Sequence, residues 1–203
     1  MPTLERWHAS WQGVAPPPAA PYYELMAAYA EPHRHYHTAQ HLEACFAHFD
    51  AVGSLAAHPA EVALALWFHD AIYDTKRQDN EEKSAAWAKR ALLAAGAAAD
   101  AAGRVHALVM ATRHAAVPRG RDEAVLVDVD LSILGAAPGR FDEYERQVRA
   151  EYAWVPEFIF RRKRRQVLGG FLARAQLFST APMRERLEAP ARANLERSLA
   201  QLG

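Results

Sequence analysis

The residue types best suited to chemistry in this 203-residue chain close an apolar run. That run is Leu64-Ala65-Leu66-Trp67-Phe68-His69-Asp70, with Asp74 four residues further on. Val62, Leu64, Leu66, Trp67, Phe68 and Ile72 leave no polar face, so a helix here is interior on all sides. A carboxylate in such a helix is costly unless it is paired, hydrogen-bonded or bound to a cation. His69 and Asp70 lie about 100° apart around a helix, yet a long imidazole and a short carboxylate can converge on one ion near the helix end. Further donors must come from elsewhere. The cluster His33, His35, His37 and His41 is the obvious source, and His37 and His41 stand at i, i+4, where both could face one way. Thr38 excludes a zinc-protease HExxH motif, which requires Glu at that place.

The last donor should be a carboxylate in an apolar element, and Val127-Asp128-Val129-Asp130 offers two. They are about 200° apart on a helix, so only one can face the site. Asp130 has Leu126, Val127, Ile133 and Leu134 at its i±3 and i±4 positions, whereas Asp128 has Ala124, Val125, Leu131 and Ser132. Asp130 is therefore read as the buried ligand and Asp128 as a capping or ion-pairing residue.

The elements that must position these groups read as helical throughout. Trp7 and Trp11 pack a short lead-in helix before the Pro16–Pro18 bend. A helix from Pro21 to Glu31 carries Tyr22, Leu25, Met26 and Tyr29 at i, i+3, i+4, i+7 and is stopped by Pro32. Thr38 caps the next, with Leu42, Cys45, Phe46 and Phe49 as its apolar positions. Pro59 opens the buried helix. Asp79-Asn80-Glu81-Glu82 has capping-box spacing and starts a helix to about Ala95. Another spans roughly 100–113 on Val105, Leu108 and Val109. In 123–134 the alternation of Val125, Val127 and Val129 suggests a strand, but the face formed by Leu126, Val127, Asp130, Ile133 and Leu134 favours a helix ended by Gly135. Helices over Phe141–Trp154, Pro156–Phe178 and about Met183–Leu199 complete the chain. The expectation is an all-α, single-domain bundle of eight to ten helices with the metal site between central helices. Its parts are a lead-in (1–20), a core (21–180) and a C-terminal helix (181–203).

Composition narrows the function classes. Lys plus Arg and Asp plus Glu balance at 24 each, so no global charge draws the chain to nucleic acid or an anionic membrane. The Arg161–Arg165 run lacks interleaved aromatics and reads as a solvated helix face with one or two inward members. One cysteine excludes an intrachain disulfide and a cysteine-rich zinc site, leaving Cys45 as a small core residue. No signal-like N-terminus precedes the domain and no apolar run approaches the ~20 residues that span a bilayer. A cytoplasmic protein without a membrane partner is expected, with Trp154 or the final helix available for a homodimer.

The order His37…His69-Asp70…Asp130 resembles the HD superfamily of metal-dependent phosphohydrolases, defined by H…HD…D. His69-Asp-Ala-Ile-Tyr73-Asp74-Thr75 is similar to the HDxxEDT segment of its guanosine polyphosphate hydrolases, with Tyr73 in place of their Glu. The wider pattern is closer to the bacterial predicted HD-superfamily phosphohydrolases. It comprises Tyr36-His37-x-x-x-His41, Trp67-Phe-His-Asp-x-x-Tyr73, Asp79-Asn-Glu-Glu-x-Ser84, Asp130-Leu-Ser-Ile-Leu-Gly135, Val148-Arg-x-Glu-Tyr152 and Ala191-Arg-x-Asn194, across about residues 20–195.

The resemblance implies one divalent ion held by His37, His69, Asp70 and Asp130. Two imidazoles and two carboxylates suit Mn²⁺, Fe²⁺, Co²⁺, Ni²⁺ or Zn²⁺ ahead of Mg²⁺. It further implies that water activated by the ion attacks the phosphorus of a small phosphorylated substrate, a nucleotide among the candidates. Asp74 either orients and deprotonates that water or caps the following loop. Glu81 and Glu82 are read as capping residues. Substrate phosphate calls for cationic or hydrogen-bonding partners, for which His41, Lys76, His114 and Arg149 are the candidates, with Arg77 beside Lys76. His114 could instead touch the metal, and Arg149 could pair with a structural carboxylate. Two alternatives differ in class. An HD-type di-iron oxygenase needs two more histidines, and His106 and His114 at i, i+8 lie about 12 Å apart along a helix, too far for one ion. A non-catalytic ligand sensor would have no reason to keep both Asp70 and Asp130.

Overall fold

The computed structural model describes residues 2–203 and is all-α. Among the described residues it contains ten α-helices, two short 3-10 helices and no strand. By contacts the chain falls into two compact units, Met1–Asp130 and Leu131–Gly203.

The first unit is organised around α4 (Pro59–Phe68), in which every residue from Glu61 to Phe68 is buried. Pro59 sits in the first turn, where its missing N–H would be unpaired anyway. The one charge in the helix, Glu61, is held by a bidentate pair with Arg104 at 2.6 and 2.7 Å. That arginine belongs to α6 (Ala99–Ala111). The lead-in helix α1 (Leu4–Ser10) is part of this core. Trp7 and Trp11 are wholly buried, and the Trp7 ring meets Trp67 edge-on at 5.3 Å. Trp67 Nε1–H donates to Ser10 Oγ at 3.0 Å.

α2 runs Ala19–Ala28, ending three residues before Glu31. Beyond Ala28 the N–H groups of Ala30 and Glu31 turn to carbonyls three residues back, which tightens and ends the helix. Thr38 caps α3 (Ala39–Val52) as expected, accepting from Gln40 N–H. Asp79 also precedes α5 (Asn80–Ala94), but its carboxylate takes Arg77 instead of the helix N–H groups. α5 closes on Gly96 at φ +87°, with Ala97 N–H returning to Leu92 O and Gly96 N–H to Leu93 O. That Schellman turn folds α6 back along α5.

α7 (Arg121–Asp130) starts earlier than expected and gives way after Asp130 to a 3-10 helix, Leu131–Gly135. Its first turn anchors α4. The Asp122 carboxylate accepts from Ala57 N–H at 2.6 Å, His58 N–H at 3.1 Å and His58 Nδ1 at 2.8 Å. Burial opposes ionisation of Asp122, but these donors hold its carboxyl below the ordinary range. A depressed carboxylate stabilises the fold above its unfolded pKa, near 3.9, and loses that contribution as pH falls through the folded value. Asp122→Ala should cost about 1–2 kcal/mol at neutral pH, and the gap to wild type should narrow by about pH 3, as read from urea midpoints.

In the second unit, α8 (Pro138–Glu151), α9 (Glu157–Leu172) and α10 (Ala181–Leu202) are shifted from the expected spans. α9 stops well before Phe178 because α10 side chains occupy the following backbone. Arg192 donates to the carbonyls of Leu172, Arg174 and Ala175, and Glu188 accepts from Leu177 and Phe178 N–H. Arg164 is the inward member of the basic run, buried against Glu145 and over the Tyr144 ring. Asn194 on α10 donates to Leu134 O at 2.9 Å and Ala136 O at 2.8 Å, which pins the 3-10 turn. Gly135 lies against Leu187 so closely that a Cβ there would be 2.6 Å from Leu187 Cβ and 2.8 Å from its carbonyl oxygen. Gly135→Ala should therefore destabilise by at least about 1–3 kcal/mol, measurable as a lower Tm. Trp154 is 54% exposed, as is usual for an aromatic outside a core. No helix among the described residues is long and apolar enough to cross a membrane.

Candidate metal centre

Three helices of the first unit bring donor atoms to one point. α3 supplies His41, the end of α4 supplies His69 and Asp70, and the last residue of α7 is Asp130. His69 Nε2 lies 3.1 Å from His41 Nε2, 3.0 Å from Asp70 Oδ2 and 3.5 Å from Asp130 Oδ1. His41 Nε2 is 3.5 Å from Asp70 Oδ2 and 3.3 Å from Asp130 Oδ1. A tetrahedral ion with bonds of about 2.0–2.1 Å separates its donor atoms by about 3.3 Å, and these spacings fit it. Cys45 Sγ adds a further donor, 3.7 Å from His41 Nε2. His41, Cys45, His69 and Asp130 thus form a buried group that could hold a metal, the one group of its kind among the described residues.

The surroundings prepare the ring nitrogens for that role. His69 Nδ1–H donates to Leu66 O at 2.7 Å, which orients the ring so that Nε2 faces the cluster, where an ion would take the place of its proton. His114 Nε2 stands 3.0 Å from Asp130 Oδ2 and steadies the carboxylate. His114 has φ +53°, in the left-handed region that side-chain-bearing residues rarely adopt. Strain of that kind persists where surrounding contacts enforce it. Burial pushes the His41 pKa down, Asp130 only partly countering it. Burial also opposes the His69 cation, yet Asp70 and Asp130 together raise His69 well above its ordinary value. Both carboxyls, despite burial, are held well below theirs, chiefly by His69. Burial pushes the Cys45 thiol up.

The two candidate histidines of the 33–41 cluster differ in their neighbours. His41 joins the donors. His37 instead stacks on Tyr73 at 4.1 Å, its ring centre 6.0 Å from that of His41, near enough for its charge to lower Asp70. The i, i+4 relation applies only within one helix. Thr38, as N-cap, leaves His37 outside α3 and His41 in its first turn.

Asp130 reaches the centre as expected, but the burial order that selected it is reversed. Asp128 is fully buried, whereas the Asp130 side chain is 12% exposed. Position at the helix end, rather than depth, aims Asp130 at the cluster. Asp74 takes the capping role: its Oδ1 accepts from Lys76 N–H at 2.9 Å, while Asn80 bonds its backbone. Lys76 lies exposed in that same loop. Glu81 and Glu82 flank Arg113 at 3.6 and 3.7 Å. Arg149 is structural, donating to Glu157 and to the carbonyls of Tyr152 and Val155.

Sequence reasoning missed Arg34. Its guanidinium is wholly buried and donates to Asp70 O at 2.6 Å, Ala71 O at 3.0 Å, His37 O at 3.3 Å and Glu31 at 3.0 Å. It also lies over the rings of Tyr29 and Tyr73. One side chain therefore fastens the Asp70 turn to the His37 segment and satisfies carbonyls left unpaired beyond the end of α4. Tyr73, read in the sequence only as a motif position, is set between His37 and Arg34 with its carbonyl accepting from His33 at 2.8 Å. The only sequence signal for Arg34 was an arginine within a run of histidines. Comparisons with family models, with curated proteins and with solved structures return no match for this chain.

Proposed function

We propose that the chain is an HD-type, metal-dependent phosphohydrolase acting on a phosphate ester of a nucleotide or another small molecule. The observation that carries the reading is that His41 Nε2 and His69 Nε2 lie 3.1 Å apart, each within 3.0–3.5 Å of Asp70 Oδ2 and of Asp130 Oδ1. Their order along the chain is H…HD…D with His41 in first place. Two imidazoles and two carboxylates suit a divalent ion from Mn²⁺ to Zn²⁺, and one donor group favours a single ion over a di-iron centre.

When bound, the ion supplies Lewis acidity, which lowers the pKa of water and offsets charge on a phosphoryl oxygen. The chain's own groups do the rest. His69, locked by Leu66 O, keeps Nε2 aimed inward, and Asp70 and Asp130 neutralise the charge gathered there. His37 lies next to the donors on the Tyr73 ring, where an imidazole can pass a proton to a leaving oxygen. His114 orients Asp130, and Lys76 offers a cation to the substrate's phosphate from the loop after Asp74.

The test is metal-free protein reloaded singly with Mn²⁺, Fe²⁺, Co²⁺, Ni²⁺, Zn²⁺ or Mg²⁺ and assayed for phosphate release from nucleotides and other phosphate esters. Turnover is expected with at least one of the transition ions and none after chelation. Stoichiometric metal with no hydrolysis of any ester would sink the phosphohydrolase reading and leave a metal-bound sensor.

A further inference from the structure

The centre has one more donor than a four-coordinate ion needs, and the fifth is of a different chemical kind. Cys45 lies one turn after His41 on α3, with its side chain buried on the same face. One donor atom each from His41, Cys45, His69 and Asp130 lie within 4.8 Å of one another; the sulfur is 3.7 Å from both ring nitrogens of His41, so it lies beside the ring and must turn toward the front of Nε2 to share an ion with it. A tetrahedral ion bonded to sulfur at about 2.3 Å and to nitrogen at about 2.0–2.1 Å separates those atoms by about 3.6 Å. Asp70, by contrast, is the most exposed of the donors, with 19% of its side chain open against 4% for His41 and 2% for His69.

We propose that the centre holds two overlapping donor sets that share His41, His69 and Asp130: an outer set completed by the Asp70 carboxylate for hard ions, and an inner set completed by the Cys45 sulfur for thiophilic ions such as Zn²⁺ and Cd²⁺. The inference rests on the metal-centre reading above and adds to it a chemical basis for metal discrimination. Hard ions such as Mn²⁺ and Mg²⁺ gain little from sulfur and stay with oxygen, whereas soft ions gain most from a thiolate. Forming the inner set makes a metal–sulfur bond, and the thiol proton leaves to solvent. The two kinds of ion exclude each other because three of their donors are the same. Thiophilic ions should therefore displace Mn²⁺ from the centre without touching the Asp70 side.

The full metal-free chain is titrated with Cd²⁺ and separately with Mn²⁺. Cd²⁺ should produce a sulfur-to-metal charge-transfer band in the ultraviolet and a cadmium NMR resonance in the range of sulfur ligation. Cys45→Ser should abolish that band and weaken Cd²⁺ by at least about 10–100-fold, the loss that even outer partners of a metal impose, while Mn²⁺ affinity stays as in wild type. Asp70→Asn should show the converse, with Mn²⁺ lost and the cadmium–sulfur band kept. Cadmium NMR of the wild-type complex needs no variant, so a Cys45→Ser protein that fails to fold does not remove the test. Cd²⁺ bound with no sulfur signature, or bound equally by wild type and Cys45→Ser, overturns the inner set and leaves the metal-centre reading standing. Failure of wild type to bind either ion overturns both.

Discussion

Asp130→Asn should empty the metal centre while leaving the fold around it assembled. The amide keeps the shape of the carboxylate but loses the charge that faces His41 at 3.3 Å, His69 at 3.5 Å and His114 at 3.0 Å. Replacing an outer partner of a metal site costs about 10–100-fold in affinity, so removal of an anionic donor should cost at least that. Metal content after purification should fall below stoichiometry, and the rise in Tm on adding metal should vanish, because an ion that no longer binds the native state cannot stabilise it. A second readout comes from the metal-free protein. There Asp70 and Asp130 raise the His69 pKa against the opposing effect of burial. A raised histidine stabilises the fold below its unfolded value of about 6.5 and loses that contribution as pH rises through the folded one, whereas the depressed Asp130 contributes above about 3.9 and loses it on acidification. Asp130→Asn should lower the His69 pKa by NMR titration and flatten both limbs. An Asp130→Asn protein that keeps full metal and an unchanged His69 titration would place the centre elsewhere.

Arg34→Met should be the most destabilising change outside the donor set. The methionine fills much of the volume but leaves the carbonyls of Asp70, Ala71 and His37 without their donor inside the protein. Each buried acceptor left unsatisfied costs about 1–3 kcal/mol, and breaking a buried charged network costs about 3–5 kcal/mol. A loss within about 3–5 kcal/mol is expected from urea denaturation. Arg34→Lys should recover only part of it, since a single ammonium cannot span carbonyls on two segments as a planar guanidinium does. Metal affinity should fall in both variants, because the turn that carries Asp70 is no longer tied to the segment leading into α3. Unchanged metal affinity in a folded Arg34→Lys protein would reduce Arg34 to a purely structural role.

Much of the fold was legible because local rules agree with one another. A helix with no polar face, Pro59 at its start and a His-Asp pair at its end could only be central, and α4 is buried along its length. Thr38 as a cap followed from single-residue chemistry, whereas the apolar neighbours that singled out Asp130 gave the wrong burial order for it and Asp128. The helix ends that moved did so where distant side chains took over backbone groups. α9 ends at Leu172 because Arg192 and Glu188 bind the chain beyond it, and no periodicity in α9 carries that information.

By itself, the sequence determined an all-helical chain, a charge problem at Asp70 and the residue types able to solve it. Tertiary structure alone decided which histidine answers. Spacing placed His37 and His41 on equal terms, and only the packing of α3 against α4 and α7 brought His41 Nε2 within 3.5 Å of Asp70 and Asp130. It also set Cys45 beside them and made Arg34 the buried clamp behind the turn. The physical reason is common to all three. Periodicity reports which face of a helix avoids water, whereas a metal centre depends on where side chains from separate helices end, to within a few tenths of an ångström.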